Sequence, residues 1–266
     1  LPQTLPGESD NDILRKLLGD PDIASKEWVW RRYDYMVRTS TVQGPGGDAA
    51  VIRLRETGKA LAMSVDGNGR YCYLDPYLGG MLAVAEATRN VSCSGAEPVG
   101  ITDCLNFGNP EKEAIYWQFK RCVEGMAEAC RVLAVPVVGG NVSFYNEVEG
   151  EAIYPTPVVG AVGLLEDYKC ATGAAFCCED EFIVLLGSAL TVLGGSQYLK
   201  KFFNLTAGRV APIDLEYERN LQILVRTLIK DGLISAAHDL AEGGLAVALA
   251  ESVIGGGIGA SIDLQP

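Results

Sequence analysis

Segments typical of β-strands alternate with segments typical of α-helices along this chain, and the alternation restricts the fold to the mixed α/β class. The strand-like segments are short apolar runs, whereas the helix-like segments repeat apolar residues every three or four positions. A long helical pattern begins at Asn109, where an N-cap residue, a proline and an acid follow one another. The predicted strands are 49–54, 60–65, 99–105, 135–138 (expected to be buried), 157–165, 181–187 and 234–238. The predicted helices are 79–94, 109–133, 194–203 and 216–231, and 66–78 is expected to be a Gly- and Tyr-rich loop.

This order of segments predicts two domains after a lead-in. Residues 1–40 form a linker and helical lead-in, 41–172 a first domain on a mixed sheet, and 173–266 a second, partial α/β domain. The first seven residues are typical of a linker and the last six of a strand cut after its final residue, so we expect a fragment of a longer chain. A sheet cut short exposes an unpaired edge, which favours self-association as a dimer.

Composition excludes some classes of partner. Acidic residues outnumber basic ones by 34 to 22, and the net charge of −12 argues against nucleic acid or an anionic membrane. A phosphorylated ligand stays compatible, because backbone N–H groups and carboxylate-bound Mg²⁺ hold such ligands locally. No membrane-spanning run or signal pattern is present, and eight cysteines without a Cys-x-x-Cys pair indicate reduced thiols in a cytoplasmic protein. No metal site is expected at Cys177 and Cys178, because His238 is the only histidine.

Several polar residues lie beside predicted strands, and α/β folds bind ligands where strands end. Asp48 follows a glycine-rich run, and Asp66 opens the segment Asp-Gly-Asn-Gly-Arg. Either carboxylate suits a metal ion, but a plain turn explains each at least as well. Asp103 ends an apolar strand, where it could bind ribose hydroxyls, an amino group or a metal, or simply cap a turn.

Two further segments combine glycines with polar side chains. The run 139–143, Gly-Gly-Asn-Val-Ser, offers exposed N–H groups, an amide carbonyl for a metal and a hydroxyl, a combination that favours function over packing. The run 238–244, His-Asp-Leu-Ala-Glu-Gly-Gly, places glycines at a helix start, which is an anion site in principle. A structural histidine is the simpler interpretation of His238. The sequence contains no Walker-type phosphate loop and no nucleophile elbow.

Taken together, these segments resemble the second half of phosphoribosylformylglycinamidine synthase, in its small bacterial or archaeal form. The resemblance is carried by DGNGRYCYLDPY (66–77), CSGAEP (93–98), ITDCLNFGNP (101–110) and GGNVS (139–143). The run HDLAEGG (238–244) is shared more widely across the superfamily.

The resemblance implies a fold and a reaction. The fold is a tandem duplication of a PurM-like two-domain unit, which is also found in aminoimidazole ribonucleotide synthetase. The reaction is an ATP-dependent carbon–nitrogen ligation in purine biosynthesis that converts formylglycinamide ribonucleotide to its amidine. ATP and Mg²⁺ would activate the amide oxygen as an iminophosphate, which ammonia displaces. The implied partners are the N-terminal half of the same enzyme, a glutaminase subunit that delivers ammonia, and a small bridging subunit.

The resemblance also implies roles for individual residues. By matching motifs, Asp103 and Gly140 would contact ATP, Asn141 would bind Mg²⁺, and Ser143 would touch the substrate. The duplication further suggests that Asp48 and Asp66 line an auxiliary, non-catalytic nucleotide or metal site.

The family's catalytic histidine lies in its first half, in the run Glu-Ser-His-Asn-His-Pro. The equivalent positions here, 66–71, contain no histidine. We therefore expect no catalytic residue in this chain, an active site between the two halves, and no activity from this chain alone.

Two other interpretations remain open. The chain could belong to a related superfamily enzyme, such as a selenophosphate or thiamine-phosphate kinase-like protein, although the run 103–110 argues against this. It could instead be a non-catalytic half-unit that serves as a structural dimerisation module. ATP binding by the isolated chain separates the ligase interpretation from the last one.

Overall fold

A six-stranded mixed sheet forms the centre of the computed structural model, which describes residues 7–187 and 192–263. Its strands are β1 (Thr41–Gln43), β2 (Ala50–Arg53), β3 (Ala60–Asp66), β4 (Glu97–Asn106), β5 (Val137–Ser143) and β8 (Thr156–Leu165), and β6 (Glu147–Val148) and β7 (Glu151–Ala152) form a separate hairpin. The order across the sheet is β1-β2-β3-β8-β4-β5. Strands β4 and β5 run parallel, whereas the other neighbours are antiparallel. The predicted mixed α/β class is confirmed.

The helices come before the first strand, between strands and after the last strand of the chain. They are α1 (Asp10–Leu18), α2 (Glu27–Trp30), α3 (Gly69–Leu74), α4 (Pro76–Cys93), α5 (Glu113–Val132), α6 (Gln197–Phe203), α7 (Leu215–Lys230) and α8 (Gly244–Gly256). Short 3₁₀ turns occur at Val37–Thr39 and Tyr168–Cys170. None of the described helices combines the length and the hydropathy needed to cross a membrane.

Helices α4 and α5 cover one face of the sheet, and two glycines let them approach closely. A Cβ atom on Gly80 would lie 2.4 Å from the Cys122 carbonyl oxygen, and one on Gly125 would lie 2.0 Å from that of Tyr77. Neither position therefore tolerates a side chain. Beneath the helices, apolar residues at alternate positions of the strands are fully buried, among them Ile101 and Val159.

The opposite face of the sheet is only partly buried. Along β8, every second residue from Pro157 is buried against the helices, while the residues between them are half-buried. On neighbouring strands of this open face, Val65 is 74% exposed and Ile52 is 38% exposed. None of the described elements covers this face, and an apolar sheet surface of this kind is typical of an interface.

A second helical layer begins with α7, which packs against α4 and α5. Arg89 of α4 makes a two-pronged ion pair with Glu218 of α7, with nitrogen–oxygen distances of 2.8 and 3.2 Å. The lead-in contacts helix α6 through Asp20. The Asp20 carboxylate accepts hydrogen bonds from Gln197 at 2.6 Å and from Lys201 at 2.9 Å. Buried polar contacts thus connect the two parts of the chain. The predicted domain boundary near residue 172 stays a prediction.

Some sequence predictions of local structure are wrong. Residues 181–187 and 234–238 form no strand, because no neighbouring strand among the described residues supplies the hydrogen-bonding partner that an extended segment needs. Segment 66–78 is not a loop. Asn68 accepts hydrogen bonds from the Arg70 and Tyr71 N–H groups and begins α3, and Asp75 caps α4 in the same way.

Two predicted boundaries also change. The helix expected from Asn109 begins at Glu113, because the Asn109 side chain accepts from the Glu111 N–H group and closes a turn instead. The segment expected to be a buried strand, 135–138, contains the start of β5, an edge strand on which Val138 is 74% exposed. The predicted linker over 1–6 and the last three residues of the predicted terminal strand lie outside the described residues, while its first three, 261–263, form no strand.

Candidate nucleotide and metal site

The ends of the parallel strands β4 and β5 bring together the residues that the motifs single out. In the register of this pair, Asp103 lies opposite Gly140, Cys104 opposite Asn141, and Asn106 opposite Ser143. Side chains of successive strand residues point to opposite faces. Asp103 and Gly140 therefore face the helical layer, whereas Asn141 and Ser143 belong to the open face of the sheet.

Asp103 and Gly140 are in close contact. A Cβ atom on residue 140 would lie 2.3 Å from Asp103 Oδ1 and 2.7 Å from the Asp103 carbonyl oxygen, so the carboxylate occupies the space that any side chain would need. Partial burial raises the pKa of the Asp103 carboxyl above its usual value. The carboxylate makes no hydrogen bond within the described residues, so its oxygens can accept hydrogen bonds from a ligand.

Asn141 and Ser143 lie along the edge strand next to the open face. Asn141 is exposed, and its side chain makes no hydrogen bond within the described residues. Ser143 is half-buried, with its hydroxyl 3.4 Å from Asn146 Oδ1 and 3.2 Å from Asn146 Nδ2. Asn146 thereby orients the Ser143 hydroxyl at the mouth of the site.

The donor set at Asn141 fits Mg²⁺ only in part. Mg²⁺ prefers six oxygen ligands and usually keeps several waters or substrate phosphates in its shell. Asn141 supplies one amide oxygen, and the strand register places the Asp103 carboxylate on the other face of the sheet. A Mg²⁺ ion held by Asn141 must therefore take its remaining ligands from phosphate, water or groups outside this chain.

A second group of ionisable residues lies where α4 meets the segment before α8. Asp48 and His238, far apart in the sequence, lie 2.6 Å apart between Oδ1 and Nδ1, and His238 Nε2 lies 3.1 Å from Glu251 Oε2. Asp48, His238 and Asp239 each offer an atom within 4.8 Å of the others. Oxygen and imidazole nitrogen atoms at this spacing suit a metal ion only when the imidazole is deprotonated, so a metal bound here displaces the proton of His238.

The other auxiliary candidate, Asp66, lies in the same buried region. Asp66 accepts a hydrogen bond from Asn90 at 3.1 Å, and Arg89 Nη1 lies 3.5 Å from Asp239 Oδ2. Asp48 Oδ2 is buried without a hydrogen-bond partner, and the buried Asp239 Oδ2 makes no hydrogen bond beyond its ion pair with Arg89. We call Asp48, Asp66, Glu86, Asp239 and Glu242 the acidic cluster, with Arg89 and His238 as its cations.

The acidic cluster holds five carboxylates but only two cations, so its carboxylates are buried close to one another without enough positive charge. Desolvation, reinforced by neighbouring carboxylates, raises the pKa of Asp66 to about 6 and that of Asp239 to about 7, and it raises the pKa of Glu86 well above its usual value. Burial by itself lowers the pKa of His238, but hydrogen bonds to Asp48 and Glu251 outweigh it and raise that pKa to about 10. His238 is therefore charged at neutral pH, and a divalent cation would relieve the remaining repulsion.

Comparison with known proteins identifies the family of this chain. Residues 46–165 match the family model of the AIR synthase related protein, N-terminal domain, and residues 179–266 match that of its C-terminal domain. The chain belongs to the AIR synthase related proteins. Both halves of this family's two-domain unit are therefore represented in one chain.

Curated relatives of this chain are phosphoribosylformylglycinamidine synthase subunits, the family that the sequence motifs indicated. Phosphoribosylformylglycinamidine synthase subunit PurL of Moorella thermoacetica is 60% identical over 252 residues, which cover 95% of this chain and 34% of that protein. The resemblance to phosphoribosylformylglycinamidine synthase is confirmed. The chain spans about a third of the length of this relative.

Solved structures of the same family show the same fold. A structure of PurLQS from Thermotoga maritima is 34% identical with a TM-score of 0.53, over 56% of this chain and 25% of that chain. T. maritima PurL complexed with AMPPCP is 27% identical with a TM-score of 0.57, over 79% and 31% of the two chains. T. maritima PurL complexed with FGAR is 26% identical with the same TM-score, over 79% and 30%. The PurM-like fold class is confirmed.

Sequence analysis missed Glu86 and Arg89 of the acidic cluster and their neighbour Asn90. All three lie within α4, which consists mainly of small and apolar residues, and they share one face at a spacing of three to four positions. Charged residues in a buried helix need partners, so this spacing was the signal that a polar site faces α4. The partners Glu218 and Glu251 carried no comparable signal, because they lie on amphipathic or apolar helices far along the chain.

The raised pKa values predict how stability depends on pH. Asp66 and Asp239 hold protons more tightly in the folded state, so their contribution to stability is present below pH 4 and is lost as the pH rises through about 6 and 7. Asp66→Asn should therefore raise the free energy of unfolding at pH 8 without divalent cations by about 1 kcal/mol, and change it little at pH 4. Thermal denaturation in EDTA at both pH values measures this.

Exposed Asp10 provides the matched control, because Asp10→Asn removes the same charge outside the acidic cluster. Mg²⁺ added at pH 8 should stabilise the wild-type chain more than Asp66→Asn. Equal stability of the Asp66 variant and the wild type at pH 8 would contradict a shortage of positive charge in the cluster.

Proposed function

We propose that this chain is the second half of an ATP-dependent carbon–nitrogen ligase that converts formylglycinamide ribonucleotide to formylglycinamidine ribonucleotide in the cytoplasm. The observation that carries the proposal is the set Asp103, Gly140, Asn141 and Ser143 at the adjoining ends of β4 and β5. Identity of 60% to a phosphoribosylformylglycinamidine synthase subunit supports it, as do the AMPPCP and FGAR complexes of T. maritima PurL.

Each residue has a role in this proposal that its surroundings support. The Asp103 carboxylate accepts hydrogen bonds from ATP, and Gly140, whose missing side chain makes room for that carboxylate, contacts ATP through its backbone. The Asn141 amide oxygen is one ligand of Mg²⁺, which offsets phosphate charge when bound. The Ser143 hydroxyl, oriented by Asn146, hydrogen-bonds the substrate.

The phosphoryl group of ATP would pass to the amide oxygen of the substrate and release ADP. Ammonia would then attack the carbon of that amide and displace the phosphate. The residues of this chain bind and orient ATP, Mg²⁺ and substrate, while the proton-transferring group belongs to the other half of the enzyme. In this proposal, a glutaminase subunit and a small bridging subunit supply ammonia, and the structure named PurLQS supports an assembly of several subunits.

The proposal is tested by ADP release from the full-length protein given formylglycinamide ribonucleotide, Mg-ATP and ammonium. ADP release that requires both the ribonucleotide and ammonium supports the ligase. ADP release that the ribonucleotide does not stimulate would instead favour a kinase-like enzyme of the same superfamily.

The open face of the sheet has a proposed occupant, the N-terminal half of the same enzyme. The face exposes Val65 and Ile52, and the chain spans only 34% of a relative that is 60% identical to it. An isolated chain would cover the same apolar surface with a second copy. Sedimentation velocity of the chain alone should show a dimer that Val65→Asp converts to a monomer, and a monomeric wild-type chain would contradict this.

We also propose the acidic cluster as an auxiliary, non-catalytic nucleotide or metal site. The buried Asp48 Oδ2, which has no hydrogen-bond partner, and the close spacing of Asp48, His238 and Asp239 support it. This site is distinct from the strand ends of β4 and β5. In the full-length protein, nucleotide binding at more than one site per chain would support it, and strict one-to-one binding without a second metal would contradict it.

A further inference from the structure

Two adjacent cysteines lie on the surface, outside both sites described above. Cys177 and Cys178 are exposed, whereas Cys72, Cys93 and Cys122 are buried. The Cys178 thiol donates to Cys177 Sγ across 3.9 Å, so the two sulfur atoms point to the same side of the chain. The pair is thus open to reagents that a buried thiol cannot reach.

The distance between the two sulfurs suits a bridging atom better than a direct bond. Neighbouring Cα atoms are about 3.8 Å apart, less than the roughly 4.4 to 6.8 Å that an unstrained disulfide spans. By contrast, one bridging atom with bonds of about 2.3 Å to each sulfur accommodates two sulfurs about 3.3 to 3.8 Å apart, for bond angles from about 90° to 110°. The observed 3.9 Å separation lies just above this range, so a small rotation of either side chain brings both sulfurs within bonding distance of one atom. Paired thiols bind soft, thiophilic metal or metalloid atoms in preference to hard ones.

The pair offers only two thiols, which excludes metal ions that need three or more protein ligands. Among the described residues, no third Cys or His atom lies close enough to complete a metal site with this pair. A mono-substituted arsenic(III) compound needs only two thiols, because its organic group occupies the third position. We propose that Cys177 and Cys178 form a chelating site for mono-organoarsenic(III) compounds. In the reaction, two S–H bonds break and two As–S bonds form, and the arsenic-bound oxygen leaves as water with both thiol protons, so no oxidation state changes.

The site is connected to the segment that carries His238 and Asp239. The Cys177 thiol donates to the Ser235 carbonyl oxygen at 3.5 Å, and the Ser235 hydroxyl donates to the Glu181 carboxylate. The Ala237 N–H group donates to the Gly173 carbonyl oxygen at 3.0 Å. Chelation removes the Cys177 donor, so we expect residues 234–239 to open more often.

The test uses the full-length protein and one equivalent of phenylarsine oxide under native conditions, followed by peptide mass spectrometry. We expect the adduct on the peptide that contains Cys177 and Cys178. Cys177→Ser and Cys178→Ser should each weaken capture by about 100-fold, because a second tethered thiol raises the effective concentration by that order. Cys170→Ser is the matched control, since Cys170 is also exposed, and it should behave as wild type.

Chelation also predicts that excess monothiol leaves the adduct in place and that a 1,2-dithiol removes it. Capture that survives in Cys177→Ser and Cys178→Ser, or an adduct that a monothiol removes, would overturn the site. Hydrogen exchange of residues 234–239 should increase on labelling in the wild type and stay unchanged in Cys178→Ser. Unchanged exchange in the labelled wild type would overturn the connection to His238.

Discussion

Asn141→Ala should lower the ribonucleotide-dependent ADP release of the full-length protein by about 100-fold, the scale on which removing one charge-stabilising group acts. Asn141 is exposed on edge strand β5, and its side chain makes no hydrogen bond within the described residues. Its loss therefore removes no contact that holds the fold together. A decrease in activity at unchanged thermal stability would identify a ligand contact and not a structural defect.

The matched control is Asn220→Ala, which removes the same side chain from an exposed position of α7. This control should leave ADP release unchanged. Raising the Mg²⁺ concentration should recover part of the activity of the Asn141 variant, because a weakened metal site fills at higher metal concentration. Equal activity of the two variants would remove Asn141 from the proposed Mg²⁺ site while leaving family membership intact.

Gly140→Ala should weaken ATP binding by at least about tenfold, which corresponds to about 1.4 kcal/mol, and should also destabilise the chain by about 2 kcal/mol. The new Cβ atom would lie 2.3 Å from Asp103 Oδ1 and 2.7 Å from the Asp103 carbonyl oxygen. The side chain of Asp103 can rotate away, but the carbonyl belongs to β4 and can move only with its strand. Either movement displaces the carboxylate proposed to contact ATP.

The neighbouring glycine provides the matched control. A Cβ atom on Gly139 meets nothing within 4 Å, so Gly139→Ala should leave both stability and ATP affinity almost unchanged. Calorimetric titration of the full-length protein with ATP and thermal denaturation measure the two effects. Adding Asp103→Ala to Gly140→Ala should recover part of the stability and none of the ATP affinity. Identical behaviour of the two glycine variants would show that β5 accommodates the added methyl group.

The sequence predicted the sheet strands well where apolar patterns and tertiary contacts agree. Strands β3, β4 and β8 lie within about two residues of their predicted bounds. Helix α7 ends at Lys230, before Gly232 with its positive φ of 68°, as the terminal glycine indicated. These elements carry strong local signals and also pack where the signals place them.

The errors occur where the structure depends on contacts that the local pattern does not show. The apolar run 181–187 has the composition of a strand, but no strand lies beside it, so its backbone stays irregular. At 66–78, glycines and tyrosines indicated a loop, whereas the side chains of Asn68 and Asp75 cap two helices. Capping depends on geometry that composition does not show.

The sequence by itself determined the fold class, the family and the motif residues at the ends of β4 and β5, because these depend on local patterns. Only the tertiary structure decided that Asp103 and Gly140 face the helices while Asn141 and Ser143 face the open side, since a strand's faces follow from its register. The tertiary structure also brought Asp48 next to His238, which lies 190 residues further along the chain. Such contacts form only when the whole chain packs, because burial and charge pairing between distant segments leave no signal in either segment alone.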